Sequence, residues 1–470
     1  MPADTALLPP VAQPDAVPRL TWRPAATEAV QEKATFIDCL FAFLLGLGTR
    51  LQVKLIGYLP FSEIAILLLF PFCFSAIQKS GSIRKTGLCI PLLYVWLVSL
   101  LASDLIRQTQ WALSARGVAR IVVLLTALPF LTWFFRRCCY EKILWWLIGV
   151  IPSIILSGYI FRGGVHEGRE LVYGHAEMSF ETHWGGVYSM PFVVFSFWVY
   201  QHSHLLAYAT GLGLGVYNIA NGIRSGGAMM MMGPALTSAV NILQGRKTSK
   251  RAFSPRRIAI WKLVILGLVG AVALYGVVSF YKSAAASGQF GERARAKYMS
   301  QSRNRFGLLI GGRPEVFAGL LAVSESPIIG YGSWPLDHQG FFERACDIMN
   351  VKLDPWYYKK GFPLIPSHSH IVQAWVESGV AATFFWVYVI TVLVRAIYLP
   401  IKDNKRLRLH ITAGAFGTLW PIFFSPISNR IELSFLLAAI FNQVLFRSSL
   451  SGASGHSQAP RTELSAEPHA

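Results

Sequence analysis

The chain alternates long apolar runs with short charged stretches, and this pattern leaves little freedom of fold. About twelve runs lie near 34–49, 61–77, 87–106, 117–135, 143–161, 185–200, 205–221, 226–242, 258–280, 378–398, 409–427 and 431–447, several at the short end of the ~17–25 residues of a membrane-spanning helix. Backbone in lipid finds no water to bond, so such spans must satisfy their own N–H and C=O groups as helices. Hydrophobic residues make up 53% of the 470, charged residues 14%, and the mean hydropathy is +0.44. A soluble chain carries about a quarter charged residues, and one of this length could not bury so much apolar surface. The expected fold class is all-α, a polytopic membrane protein. Six cysteines (Cys39, Cys73, Cys89, Cys138, Cys139 and Cys346) form no CxxC pair, and several sit inside apolar runs, where Cys acts as a small hydrophobe.

The net charge of +19 reflects 43 Lys and Arg against 24 Asp and Glu. No RNP, zinc-finger or helix-turn-helix pattern accompanies it, which argues against nucleic acid as a partner. Its distribution fits topology instead. With the N-terminus inside, alternate loops at 78–86, 136–142, 243–257 and 399–408 become cytoplasmic. These loops hold Lys79, Arg84, Lys85, Arg136, Arg137, Lys142, Arg246, Lys247, Lys250, Arg251, Arg256, Arg257, Lys402, Lys405, Arg406 and Arg408, as the positive-inside rule requires. The expected layout is a cytoplasmic tail at 1–33, spans over 34–280, an outer loop at 281–377, spans over 378–447 and a disordered cytoplasmic tail at 448–470. Membrane lipids are the implied surroundings.

Residues 281–377 are too long for a passive connection. PEVFAGLLAVSES has helical apolar spacing with Pro314 at the first helical position, SPIIGYGS reads as a turn-rich connector, and SHSHIVQAWVES reads as a helix leading into the next span. The first part of this loop holds Lys282, Arg293, Arg295, Lys297, Arg303, Arg305 and Arg313 against Glu292. It is either a solvated basic face or an anion site, for which the planar fork of Arg is suited. In NGIRSGGAMMMM, Arg224 stands among small residues at a helix mouth, where a cation faces a cavity or snorkels. The loop 162–184 adds Arg162 and Arg169 with His166, His175, His183 and four Glu, but no ligand spacing of the HExxH kind, so no metal is expected there. His368 and His370 stand two apart at the mouth of a span. On a helix they would point about 200° apart, so they do not form a metal pair on one face.

Together these features resemble the O-antigen ligase and polymerase family of bacterial inner-membrane proteins. GGRPEVFAGLLAVSESPIIGYGSW is similar to the family's Gly-Arg, helix, Pro-hydrophobic-hydrophobic-Gly-x-Gly pattern. SHSHIVQAWVESGV is similar to its His-Asn-x-(Tyr/Phe)-Leu-Gln…Glu-x-Gly pattern, with Ser369 where Asn is usual, and NGIRSGG to its Ser-Arg-Gly motif. The match runs from about residue 210 to 400, and earlier spans agree only in hydropathy.

The resemblance implies an all-helical fold similar to the GT-C-like glycosyltransferases, with about twelve spans and a periplasmic site. It implies transfer of a glycan from an undecaprenyl-diphosphate carrier to lipid A-core (ligase) or to another lipid-linked repeat (polymerase). It places the catalytic base at His368, with His370 as alternate. Arg224 and Arg313 then hold the diphosphate, with Arg162 and Arg169 as further candidates. Many members of the wider class use a metal-binding carboxylate in the first outer loop; here that loop, RLQVKLIGYLP, has no Asp or Glu, so neither metal nor other cofactor is expected. The rival classes are a lipid-linked glycan transporter, which would line a central cavity with its cations, and a scaffold subunit of an export complex.

Overall fold

The computed structural model describes residues 33–54, 58–137, 139–160, 193–196, 198–200, 202–220, 224–245, 275–276, 279, 282–289, 291, 295, 298–299, 313–351, 364–398, 407–427 and 430–445. The two expected tails, the loop 162–184 with Arg162 and Arg169, the basic stretch 246–257 and most of the runs 185–200 and 258–280 lie outside the described residues.

Among the described residues the regular structure is helical apart from one small hairpin and an isolated bridge between Leu336 and Leu364. Helix α1 (Phe36–Leu47) starts at a capping box in which Thr35 and Asp38 satisfy each other's backbone N–H groups. The strands β1 (Gln52–Lys54) and β2 (Tyr58–Pro60) pair antiparallel, with Gln52 opposite Pro60. There follow α2 (Phe61–Lys79), α3 (Ser82–Lys85), α4 (Cys89–Arg107), α5 (Trp111–Phe134), α6 (Cys139–Ile160), α7 (His204–Ala220) and α8 (Arg224–Gly245). The second half contributes α9 (Pro314–Glu325), α10 (Phe341–Met349), α11 (His370–Ser378), α12 (Thr383–Tyr398), α13 (Arg408–Phe424) and α14 (Arg430–Ile440). Among the described residues five helical stretches are long and apolar enough to cross a bilayer: Phe61–Lys79, Cys89–Arg107, Trp111–Phe134, Tyr140–Ser157 and Val380–Ile397. The protein is therefore all-α and has the character of a membrane protein.

Two ends of the bundle are defined by side-chain pairing. At one end Lys142 pairs with Asp38 at 2.9 Å and donates to the Phe134 carbonyl at 2.9 Å, and the backbone N–H of Ala34 donates to Glu141. At the other end Arg50 pairs with Glu432 at 2.8 Å, and Arg430 forks onto Glu63 at 3.0 and 2.7 Å. Between these ends α1 and α6 run parallel. A Cβ on Gly46 would stand 2.1 Å from the Trp146 carbonyl, and one on Gly149 2.1 Å from the Phe43 carbonyl. Only the missing side chains let the two backbones meet, as small residues do between helices in lipid. The main core is a continuous cluster from Ala42 to Phe441. A second cluster of Ala318, Ala322, Val323, Phe341, Ala345, Ile365, Val372 and Val376 holds α9, α10 and α11 together.

The expected helix in PEVFAGLLAVSES is α9, with Pro314 at its first turn. The helix expected in SHSHIVQAWVES begins at His370 and does not run on into the next span. Gly379, at φ +77°, ends it before α12.

Candidate functional site

Helix α11 begins where the sequence supplies a cap. The Ser369 hydroxyl accepts the Val372 N–H at 3.3 Å and donates to the Ile422 carbonyl at 2.8 Å. This is the position at which the resembled motif has Asn. Both side chains are good N-caps, so the difference keeps the local chemistry. His368 therefore precedes the helix, and His370 is its first residue.

The two histidines have different surroundings. His368 is partly exposed. His370 is buried, its ring 4.9 Å from that of Trp386, and its Nε2 lies 3.1 Å from the Pro426 carbonyl. That contact makes Nε2 the protonated nitrogen. Nδ1 is then bare, buried and without a hydrogen-bond partner among the described residues. Burial pushes the His370 imidazole down to about 3, the Arg120 charge acts in the same direction, and the Pro426 contact opposes both. His370 is neutral at any ordinary pH.

The turn after α13 collects contacts from several elements. Arg313, the cap residue of α9, donates to the Phe424 carbonyl and lies 5.6 and 5.4 Å from the ring centroids of Trp420 and Phe424. Ser369 bonds to Ile422 and His370 to Pro426, and Gln373 accepts the Ile427 N–H at 2.9 Å. Arg313 and the histidine motif, 55 positions apart in the sequence, thus meet the same six-residue segment, 422–427.

Arg224 is the first residue of α8. Helices α7 and α8 are antiparallel, since Gly211 meets Pro234 and Ile219 meets Gly227. Leu409 packs with Ala207 near the start of α7, and Gly233 meets Ala413. So α13 runs opposite to α8, and the Arg224 end of α8 lies at the Phe424 end of α13. Arg162 and Arg169 fall outside the described residues.

Behind this turn lies a charge pair that our sequence reading did not single out. Glu377 accepts from Gln373 Nε2 at 2.9 Å and from Arg120 Nη1 at 3.4 Å, with a closer contact to Arg120 Nη2. Both partners of the ion pair are only 2% exposed. Arg120 stands nine residues into α5, about 14 Å along its axis, and its guanidinium faces Trp96 at 5.7 Å and Trp334 at 6.0 Å. Trp334 holds a φ of +52°, uncommon for a bulky side chain. A lone cation inside the apolar run 117–135 was the available signal, because such residues pair or line cavities.

The connector after α9 explains the Pro-hydrophobic-hydrophobic-Gly-x-Gly pattern physically. Tyr331 N–H donates to the Val376 carbonyl at 2.7 Å, Gly332 N–H to Glu377 at 3.0 Å, and Val380 N–H to Pro327 at 3.1 Å. A Cβ on Gly330 would lie 2.2 Å from the Glu377 carbonyl oxygen, and one on Gly379 1.9 Å from that of Ile328. Asp104 of α4 anchors the far side by accepting from Ser333 Oγ at 2.8 Å and Ser114 Oγ at 2.6 Å.

Beside the first hairpin, a carboxylate follows the RLQVKLIGYLP stretch after all. Glu63 is 1% exposed, and both its oxygens accept from Arg430. Among the described residues no three His, Cys, Asp or Glu are grouped to hold a metal ion. In comparisons with known proteins, no family model and no curated protein matches the chain.

Proposed function

We propose that the chain is a glycosyltransferase of the bacterial inner membrane. In this reading it moves a glycan from an undecaprenyl-diphosphate carrier to a lipid A-core acceptor on the periplasmic face. The observation that carries the proposal is the convergence of Arg313, Ser369, His370 and Gln373 on the turn 422–427, with the partly exposed His368 at the same helix start. A cation suited to phosphate beside this segment and a partly exposed imidazole at the start of the helix that meets it are the two tools that glycosyl transfer from a diphosphate needs. The acceptor hydroxyl attacks the anomeric carbon, its proton passes to His368, and the bond to the diphosphate oxygen breaks. The charge left on the diphosphate is held by Arg313 and Arg224, so the proposed transfer runs without a metal. One displacement with no enzyme nucleophile inverts the anomeric configuration.

Ligase and polymerase share this donor chemistry and differ in the acceptor. A deletion strain whose surface glycan is separated on a gel distinguishes them. A ligase leaves core without any attached polymer, whereas a polymerase leaves core bearing single repeats. Unchanged glycan would overturn the proposal.

The arginines provide a sharper test. Lysine keeps the charge but loses the bidentate fork, and groups that stabilise developing charge are worth about 3–4 kcal/mol each. Arg313→Lys and Arg224→Lys should each slow transfer from purified lipid-linked donor. Wild-type rates in both would remove them from the mechanism.

The proposed orientation, with about twelve spans, puts the Asp38–Lys142 end in the cytoplasm and the Glu63–Arg430 end outside. It also puts the exposed Ser287 outside and the exposed Lys79 inside. A membrane-impermeant maleimide applied to intact spheroplasts should label Ser287→Cys and spare Lys79→Cys. The opposite pattern would invert the topology and move the site to the wrong face.

A further inference from the structure

The connector between α9 and α10 displays two neighbouring apolar side chains: Ile328 is 74% exposed and Ile329 40%. Its position is set by α4. Arg107, the last residue of that helix, donates from Nε to the Gly330 carbonyl at 3.0 Å and from Nη2 to Ser326 Oγ at 2.8 Å, and its guanidinium sits 4.9 Å from the Tyr331 ring centroid. One turn earlier on the same helix, Ser103 Oγ accepts the Gly330 N–H at 3.2 Å and Asp104 accepts the Ser333 N–H. The connector thus lies alongside the last turn of α4, not beyond it. Four residues of helix are about 6 Å.

That last turn belongs to one of the five helices able to cross a bilayer, and beside the exposed Arg107 it turns two apolar side chains outward: Leu105 is 81% exposed and Ile106 57%. Trp111, where α5 begins, is 77% exposed, as expected of the aromatic belt at a membrane–water boundary. The isoleucine pair is therefore tied to the level at which the neighbouring helices leave the hydrocarbon. Apolar groups of interfacial elements are buried about 5–10 Å into the headgroup and acyl boundary, a depth that matches the offset along α4.

We infer that Ile328 and Ile329 form a wedge inserted into the leaflet at this end of the bundle, covered by lipid and not by protein. The wedge is joined to α11 through the Tyr331–Val376, Gly332–Glu377 and Val380–Pro327 bonds and the Trp375 indole, which donates to the Pro327 carbonyl at 2.7 Å. Lipid contact at the connector thereby fixes the height of the helix that starts at His370. The inference rests on the membrane character of the chain and not on glycosyl transfer.

The test replaces single residues of the full-length protein with photoreactive p-benzoylphenylalanine, at Ile328 and separately at Ile329. Leu105 serves as the lipid-facing control and the exposed Gln339 as the aqueous one. Each protein is reconstituted in phosphatidylethanolamine/phosphatidylglycerol vesicles, irradiated and weighed by mass spectrometry. Lipid adducts at 328 or 329 should come within about twofold of those at 105 and about tenfold above those at 339, as for a side chain in the acyl boundary. Adducts at 105 with only the 339 level at both isoleucines would overturn the wedge, as would crosslinks from 328 and 329 mainly to a second copy of the chain. No lipid adduct at 105 either would overturn it together with the membrane reading, leaving glycosyl transfer to be judged by its own assays.

Discussion

His368→Ala is expected to abolish glycan transfer, by the ~10²–10⁴-fold typical of a lost general base, while leaving a folded protein in the membrane. The base must meet an acceptor hydroxyl arriving from outside and then release its proton. His368 is partly exposed and precedes the helix, whose cap is supplied by Ser369. His370 is enclosed by Trp386 and the Pro426 carbonyl, and burial holds its imidazole near 3, too weak a base for the task. Its expected role is packing. His370→Ala should lower the melting temperature in detergent and retain most transfer per folded molecule. The check is the rate with purified lipid-linked donor and acceptor. Full activity in His368→Ala would end its assignment as base. A folded but inactive His370→Ala beside an active His368→Ala would exchange the two roles.

The second large effect is expected at the Arg120–Glu377 pair. Removing one member leaves a charge about 14 Å inside a helix bundle with no opposite partner, which costs about 3–5 kcal/mol. Glu377→Leu also strips the acceptor from Gln373 Nε2 at 2.9 Å, and Gln373 in turn holds Ile427 at the shared turn. Arg120→Met alone and Glu377→Leu alone should both unfold at markedly lower denaturant. The double variant should recover most of the loss, because an apolar pair of similar volume strands no charge. The measurement is equilibrium unfolding of the three variants in one detergent. Single losses that simply add in the double variant would show that the pair is not coupled.

The membrane class was legible because hydropathy reports it directly, and all five long apolar helices coincide with runs read from the sequence. The start of α9 was legible too, since proline is favoured at the first helical position, where Pro314 stands. The break at Gly379 was not. Its left-handed φ answers to the Ile328 carbonyl, 51 positions away, which no local pattern reports. The same holds at the site. His368, His370 and Arg313 drew attention by residue type, but Arg120 lay inside a run that reads as one more span. Its importance depends on Glu377, 257 positions later, and is visible only once α5 and α11 are side by side. Glu63 was passed over for a similar reason, because its partner Arg430 is 367 positions away.

The distance between Glu63 and Arg430 also bears on how the molecule is made. Glu63 opens an early helix and is 1% exposed when the fold is complete, yet the cation that pairs with it stands in the last α-helix described. Arg50 likewise pairs with Glu432 at 2.8 Å. At about 5–20 residues per second, synthesis of the intervening 367 residues takes roughly 20–70 s. Over that interval Arg430, the partner seen on both Glu63 oxygens, has not yet been made. The final pairing at this end of the bundle therefore forms only after α14 is made. In this sense α14 is a closing staple: a chain that stops before Arg430 lacks the pairs that join its first helices to its last at this end.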